Sequence, residues 1–418
     1  MPVAELASVA GAAGAARARI LILGMNYAPE PIGVGRYTGE LAEFLAGQGE
    51  DVEVVTSPPH YPGWCVSPPY RAWRYTVESR NGVRIIRCPL LLHPSGRQFW
   101  RLLAPLSFAV AAAPVVVWRI LRSRPGAVIC VEPTLLSAPA AVLAAKIVGA
   151  RCILHVQDLE IDAAFGVGHL SANWLRQAAM AFERFMLRRF DRVITISQRM
   201  AQKLANKGLS LSSISVLRNW VNAAKIKPMA GPNRFREQLG FSNDDFVVLY
   251  SGHIGRKQAV EQLLLAALEC RDQRSIHFVI CGDGPEKTSL VARFGAMSSV
   301  HFLPVQPEER LCEFLNMADL HALPQDRNVA DLVLPSKLGG MLASGRPIVV
   351  TADPGTELYD LLDGVAIIVP PADVPALAGA IKSTSAQRPL TAPPTKLLSL
   401  FSSEVVLPQF HRAITDGR

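Results

Sequence analysis

Two adjacent cations, Arg256 and Lys257, stand in the segment Tyr250-Ser251-Gly252-His253-Ile254-Gly255-Arg256-Lys257-Gln258, between a strand-like run and a helical one. Glycines at such a turn let a ligand approach the backbone. An arginine fork beside a lysine point charge suits the oxygens of a diphosphate. The plain alternative is a solvated loop that happens to carry two cations. A second turn, Cys281-Gly282-Asp283-Gly284-Pro285-Glu286, follows the next strand-like run and offers another close approach at the same edge. A third, Leu334-Pro335-Ser336-Lys337-Leu338, leads into Leu342-Ala343-Ser344-Gly345-Arg346-Pro347; Ser336 is placed to cap a helix, with Lys337 beside exposed amides. Three such turns along one edge predict a nucleotide-diphosphate site.

The N-terminal half has weaker signals. Gly33 and Gly35 follow the first strand-like run and open a helical segment, but neither a phosphate-binding G-x-x-x-x-G-K-[ST] nor a complete G-x-G-x-x-G is present. A lone G-x-G also serves plain packing. His155 and Asp158 lie at the end of another strand-like run, where either could accept a proton from a hydroxyl nucleophile; Asp158 is the better candidate, and capping a following helix is its structural alternative. The chain has no D-x-D triplet, so no carboxylate-held metal is expected, and no cofactor.

These turns need a scaffold that aligns strand ends. Short, continuous apolar runs at 20–23, 52–56, 83–87, 128–131, 153–156, 193–196 and 214–217 alternate with helical segments. Continuous rather than alternating runs are the mark of buried parallel strands. Ser197 can cap one helix, whose face carries Met200 and Leu204 and which Gly208 can close. After a polar interruption at 219–243 the pattern restarts at 246–251 and continues at 276–281, 300–303, 320–323, 347–350 and 366–369. The expectation is two doubly wound α/β domains, 19–219 and 220–395. A loose tail (1–18) precedes them, and a C-terminal segment (396–418) packs back on the first. Ligands bind beyond the carboxyl ends of such strands, so a cleft between the domains is the expected active site.

Among 418 residues, half are hydrophobic and 19% are charged, which fits two globular cores. Seven scattered cysteines with no C-x-x-C spacing argue against a disulfide framework or a zinc site, and the N-terminus lacks the basic and apolar regions of a secretory signal. A cytoplasmic protein is expected. The net charge of +8 is concentrated: residues 60–126 hold ten arginines (71, 74, 80, 84, 87, 97, 101, 119, 122, 124), one acid (Glu78) and four of six tryptophans (64, 73, 100, 118). Arginine with interfacial aromatics favours an anionic membrane surface over nucleic acid, for which no recognition motif is present. Within this stretch, 102–118 is almost wholly apolar but has 17 residues and two prolines, short of the ~20 that span a bilayer. A buried helix covering the first sheet is the leading reading, and an interfacial segment the next.

The ordered set G-H-I-G-R-K-Q, C-G-D-G-P-E and L-P-S-K-L-x-x-M-L-A-S-G-R-P resembles the retaining GT-B glycosyltransferases of the glycogen-synthase-like group. With N-Y-A-P-E-P-I-G-V-G-R-Y-T-G-E-L and L-H-V-Q-D-L-E in the first half, it looks most similar to colanic-acid-type exopolysaccharide transferases, over roughly residues 18–385. The resemblance implies two Rossmann-like domains and transfer of a sugar from a UDP- or GDP-linked donor to a lipid-linked or oligosaccharide acceptor, at the inner face of the plasma membrane. It implies that Arg256 and Lys257 hold the diphosphate, flanked by Gly252 and His253, and that Leu334, Pro335, Ser336 and Lys337 contribute. It also implies that Gly282, Gly284, Pro285, Val305 and Gln306 lie near base and ribose, that Gly33 and Gly35 face donor or acceptor, and that 155–160 faces the acceptor. Many relatives carry a glutamate pair where this chain has Leu332 and Gly340, with Asp331 one residue away. The competing readings are a nucleotide-sugar epimerase of the same fold and a partner subunit without turnover.

Overall fold

The structure is a computed structural model that describes residues 19–31, 33–61, 63–92, 98–133, 135–159, 173–327, 334–387 and 395–416. The expected N-terminal tail lies outside them. Two compact units emerge, one of residues 1–194, 208–215 and 411–418, the other of 195–207 and 216–410.

The first unit is built on β1 (Arg19–Leu23), β2 (Asp51–Thr56), β3 (Thr76–Arg80), β4 (Val83–Arg87), β5 (Ala127–Glu132) and β6 (Arg151–Val156), and the sheet continues through β7 (Arg192–Thr195) and β8 (Ile214–Val216). The order is β3-β4-β2-β1-β5-β6-β7-β8. β1, β2, β4, β5 and β6 pair in parallel, with Ile22 opposite both Val54 and Ile129. The apolar runs mark every one of these strands except β3. That strand pairs antiparallel with β4 at the sheet edge, and four of its five residues are exposed, so it carries no apolar run to find.

The second unit orders β9 (Phe246–Ser251), β10 (Ile276–Cys281), β11 (Val300–Leu303), β12 (Leu320–Leu323), β13 (Ile348–Thr351) and β14 (Ile367–Val369) as β11-β10-β9-β12-β13-β14, all parallel. Successive side chains take opposite faces: Val247, Leu249 and Val279 join one core cluster, and Val248, Tyr250 and Phe278 the other. Both faces are covered, which is why the strands read as unbroken apolar runs. The strand order reverses between β9 and β12, so the loops that leave those two strands part there and open a crevice.

Two local expectations meet the structure differently. Ser197 accepts from the Met200 amide at 3.1 Å, and Met200 and Leu204 are fully buried, as the capping pattern predicts. The apolar stretch at 102–118 is longer than its composition suggested: the helix runs Gln98–Ser123 with Pro105 and Pro114 inside it, and Leu103–Ser123 is long and apolar enough to cross a membrane by length and composition. Ala104, Phe108, Ala112, Val116 and Ile120, spaced by four, form a buried row. The helix packs on the neighbouring helix Ala138–Val148 and on β1 and β2, while Leu106, Val110, Trp118 and Leu121 stay exposed.

Candidate functional site

In the second unit the turns after β9 and β10 lock together through their backbones. The Gly252 amide donates to the Cys281 carbonyl (2.9 Å), the Ile254 amide to Asp283 (2.8 Å), and the Glu286 amide back to Ile254 (3.2 Å). Gly282 and Gly284 have φ of 150° and 155°. A Cβ at Gly282 would lie 1.8 Å from the Gly252 carbonyl oxygen, and one at Gly284 2.3 Å from that of Ile254. The close approach these glycines permit is therefore to a second loop. Val305 and Gln306 follow β11 beside them: Gln306 donates to the Pro304 carbonyl, as does the Cys281 thiol. Val305 and Pro285 are exposed.

The cations lie on a short 3-10 turn, Arg256–Gln258, one residue ahead of the helix Val260–Glu269; Ala259, at φ 47°, makes the bend. Arg256 is exposed and Lys257 half-buried. The Asp326 amide donates to the Lys257 carbonyl at 3.0 Å, tying this turn to the loop after β12, across the point where the strand order reverses.

The third turn reaches the first through Lys337. Its Nζ lies 3.7 Å from the centre of the Tyr250 ring, and a Cβ on Gly252 would sit 3.3 Å from that nitrogen. The Nζ is buried with no hydrogen-bond partner among the described residues, and burial drops its pKa to about 7. Ser336 does not cap the following helix Leu338–Ala343: Lys337 occupies the N-cap position, no side chain caps it, and Ser336 is exposed. Leu334 is buried and, with Pro335, Gln325 and Glu357, lines a small cavity. Gly340 lies on this helix, where a Cβ would approach Leu315 to 3.3 Å; Leu332 and Asp331 lie outside the described residues. Gly252, His253, Gly282, Gly284, Arg256, Lys257 and Lys337 thus share one edge of one sheet.

In the first unit, Gly33 (φ 69°) occupies the N-cap position of the helix Val34–Gly47. Gly35 is glycine for a different reason: a Cβ there would fall 2.3 Å from Glu30 Oε2. Glu30 is buried, and the amides of His60 and Tyr61 both donate to its Oε1 at 3.1 Å, while Asn26 Nδ2 donates to Oε2 at 3.0 Å. This carboxylate clamps the loop after β2 onto the loop after β1. The clamp sets the Tyr61 ring against Gly33, where the ring's Cε1 lies 3.4 Å from the place of a Cβ. Burial, then the charges of Glu30 and Asp158, raise the Tyr61 phenol, so Tyr61 and Asp158 are neighbours. His155 is fully buried and held near pKa 3 by desolvation, which keeps it neutral and removes it as a proton acceptor at neutral pH. Asp158 is partly exposed in the loop after β6; the start of any helix it could cap lies outside the described residues.

Glu30 lies inside the glycine motif of the first half, and the groups that donate to it are backbone amides 30 and 31 residues away, which no local pattern displays. Tyr250 lies near the end of a strand-like run. Its second role depends on a lysine 87 positions later.

Two largely parallel sheets with this order, and turns gathered at the carboxyl edge of the second, are the architecture of the GT-B fold. Residues 33–220 match the glycosyl transferase 4-like domain and 245–387 the glycosyl transferases group 1 family. The chain belongs to the group 1 glycosyltransferases of the GT-B fold. It is 40% identical over 375 residues, 87% of this chain and 91% of the relative, to WcaI of Escherichia coli (strain K12), a glycosyl transferase assigned to colanic acid biosynthesis. Sucrose-phosphate synthase from Thermosynechococcus elongatus shares the fold with a TM-score of 0.71 at 17% identity, covering 95% of this chain and 98% of that one. HepE of Anabaena, solved in complex with UDP and glucose, does so with a TM-score of 0.67 at 16% identity, covering 96% and 100%. The chain is a glycosyltransferase; nothing in these comparisons supports an epimerase.

Proposed function

We propose that this glycosyltransferase moves a sugar from a nucleotide-diphosphate donor, UDP- or GDP-linked, to a lipid-linked saccharide during assembly of a cell-surface polysaccharide of the colanic-acid kind. The observation that carries the reading is the gathering of Arg256, Lys257 and Lys337 with the turns after β9, β10 and β12 at one sheet edge. The binding of UDP by HepE, a protein of the same fold, supports the donor class. The likeness to WcaI supports the polysaccharide and a cytoplasmic setting.

In the proposed reaction Arg256, Lys257 and Lys337 offset the charge that develops on the departing diphosphate, so that bond cleavage needs no carboxylate-held metal. Such a leaving group requires little acid help. Asp158 takes the proton of the acceptor hydroxyl. Ser336 adds a hydroxyl to the diphosphate side, Pro285, Val305 and Gln306 border base and ribose, and transfer retains the anomeric configuration.

We further assign the membrane contact to the outer faces of Gln98–Ser123 and Ala138–Val148, two helices that pack together. Leu106, Val110 and Trp118 on the first and Leu143 and Ile147 on the second are exposed. Arg71, Arg74, Arg122 and Arg124 are exposed in the same unit with no ion pair among the described residues. Others of the arginine group are already used: Arg87 is buried on Glu78 and the Ala28 and Ser57 carbonyls, Arg119 pairs with Glu53, and Arg80 with Glu43. This supports peripheral attachment at an anionic surface with fewer charges than the ten arginines suggest.

Calorimetric titration of UDP and GDP tests the donor assignment. One nucleotide is expected to bind, and Lys257→Ala to weaken it about tenfold or more, the loss of one charge-assisted contact. Unchanged affinity in a folded variant would remove Lys257 from the site.

A further inference from the structure

The structure assigns Lys337 a second task, resting on the donor reading above: its amine is the proton acceptor that makes donor binding a proton-uptake step. Among the described residues, the buried Nζ has no acceptor, and two groups are placed beside it. One is the face of Tyr250 at 3.7 Å, the other the open side of Gly252, where the absent Cβ leaves room. The ring attracts the charged form weakly and offers no lone pair in the plane of a hydrogen bond. An ammonium held this way is desolvated and uncompensated, and the cheapest remedy is to release its proton.

Among the described residues, the groups that face it do not supply a counter-charge. The Tyr250 hydroxyl donates to the His253 carbonyl and is pushed far above its ordinary range by burial, so it stays neutral. His253, on the turn after β9, is itself held below its ordinary value, by burial first, with Asp283 and Glu286 pulling it up and Lys337 pushing it down. Ser336 is neutral. Burial alone moves Lys337 itself, to about 7, and no carboxylate among the described residues raises it.

A diphosphate entering beside Gly252 brings the missing charge. The Nζ lone pair then takes a proton from the buffer acid, forming the third N–H bond of an ammonium as the conjugate base is released. No other bond changes. Above pH 7 the empty site holds mostly free amine and the loaded site ammonium, so affinity for the donor falls as pH rises.

The test is calorimetric titration of UDP-glucose and GDP-glucose at pH 8 in HEPES and in Tris, which differ in ionisation enthalpy. Neither sugar nucleotide has a diphosphate that titrates near neutrality, so uptake reports on the protein. The expected result is about 0.8 proton taken up per bound nucleotide, and a Kd that rises up to about tenfold per pH unit between pH 7.5 and 9. Lys337→Arg, whose guanidinium stays charged throughout this range, is expected to bind with less than about 0.1 proton taken up and a flat Kd. His253→Asn is expected to keep the full uptake. Binding by the wild type without proton uptake, or uptake that survives in Lys337→Arg, overturns this assignment and leaves the donor site intact. Failure of the wild type to bind either sugar nucleotide overturns the donor reading and this assignment with it.

Discussion

A buried amine without an acceptor is costly in the empty protein, and Lys337 is therefore a residue at which stability and function oppose one another. Lys337→Met keeps the length of the side chain, fills the space beneath Gly252 and removes the charge. The variant is expected to melt about 2–5 °C higher than the wild type without nucleotide and to lose the stabilisation that nucleotide confers. A thermal-shift series with and without UDP checks both parts, and a lower melting temperature in the empty variant would contradict the buried-amine argument. Glu30 is the opposite case, a buried carboxylate whose acceptors are all used. Glu30→Gln turns one oxygen into an amide nitrogen that must face a donor, at a cost of about 2–4 kcal/mol. The expected outcome is a destabilised first unit, since the clamp holds the loops that carry Tyr61 and Gly33. Equal denaturation midpoints for variant and wild type would argue against it.

At the scale of elements, the helix Gln98–Ser123 carries two unlike faces. Its buried row of Ala104, Phe108, Ala112, Val116 and Ile120 faces the unit's core, each large member worth about 1.5–3 kcal/mol on burial, while Val110 and Trp118 lie on the other side. In the membrane contact proposed above, the outer side is the one that meets lipid. Val110 is 70% exposed and Ile147 on the partner helix 67%, so acidic substitutions there leave the core untouched. Val110→Asp combined with Ile147→Asp is expected to cut co-sedimentation with vesicles rich in phosphatidylglycerol at least fivefold, with the melting temperature within about 2 °C of wild type. Undiminished sedimentation would remove this face from the proposed membrane contact.

For the molecule as a whole, two fully buried histidines are expected to contribute to the response to acid. His155 in the first unit and His321 in the second are fully buried and held near pKa 3 by desolvation, with Arg346 adding to the effect at His321. In the unfolded chain both titrate near 6.5, so between pH 6.5 and 3 the unfolded state binds protons that the folded state does not. Stability is therefore lost as pH falls through that window, by about 1.4 kcal/mol per pH unit for each histidine at full slope. The melting temperature is expected to drop between pH 7 and pH 5. His321→Gln, whose amide can still donate to Ser344 Oγ, 3.0 Å from His321 Nε2 in the wild type, should flatten the drop. An equal fall in both proteins would assign the acid sensitivity to other groups.

Periodicity and turn chemistry in the chain alone settle much of this architecture. Thirteen of the fourteen strands are visible as apolar runs, because strands covered on both faces cannot alternate, and Ser197 and Gly208 punctuate their helix locally. The two glycine-rich turns and the L-P-S-K-L turn are equally legible as members of one sheet edge. Other features are decided only when distant segments meet. The exposed edge strand β3, the clamp of Glu30 on amides 30 and 31 positions away, the consumption of Arg87 and Arg119 by internal partners, and the seat of Lys337 on Tyr250 all belong to this group. Short-range patterns record which faces of a helix or strand are buried. Charge, hydrogen-bond partners and pKa depend on what packs against those faces, and that is a property of the folded chain.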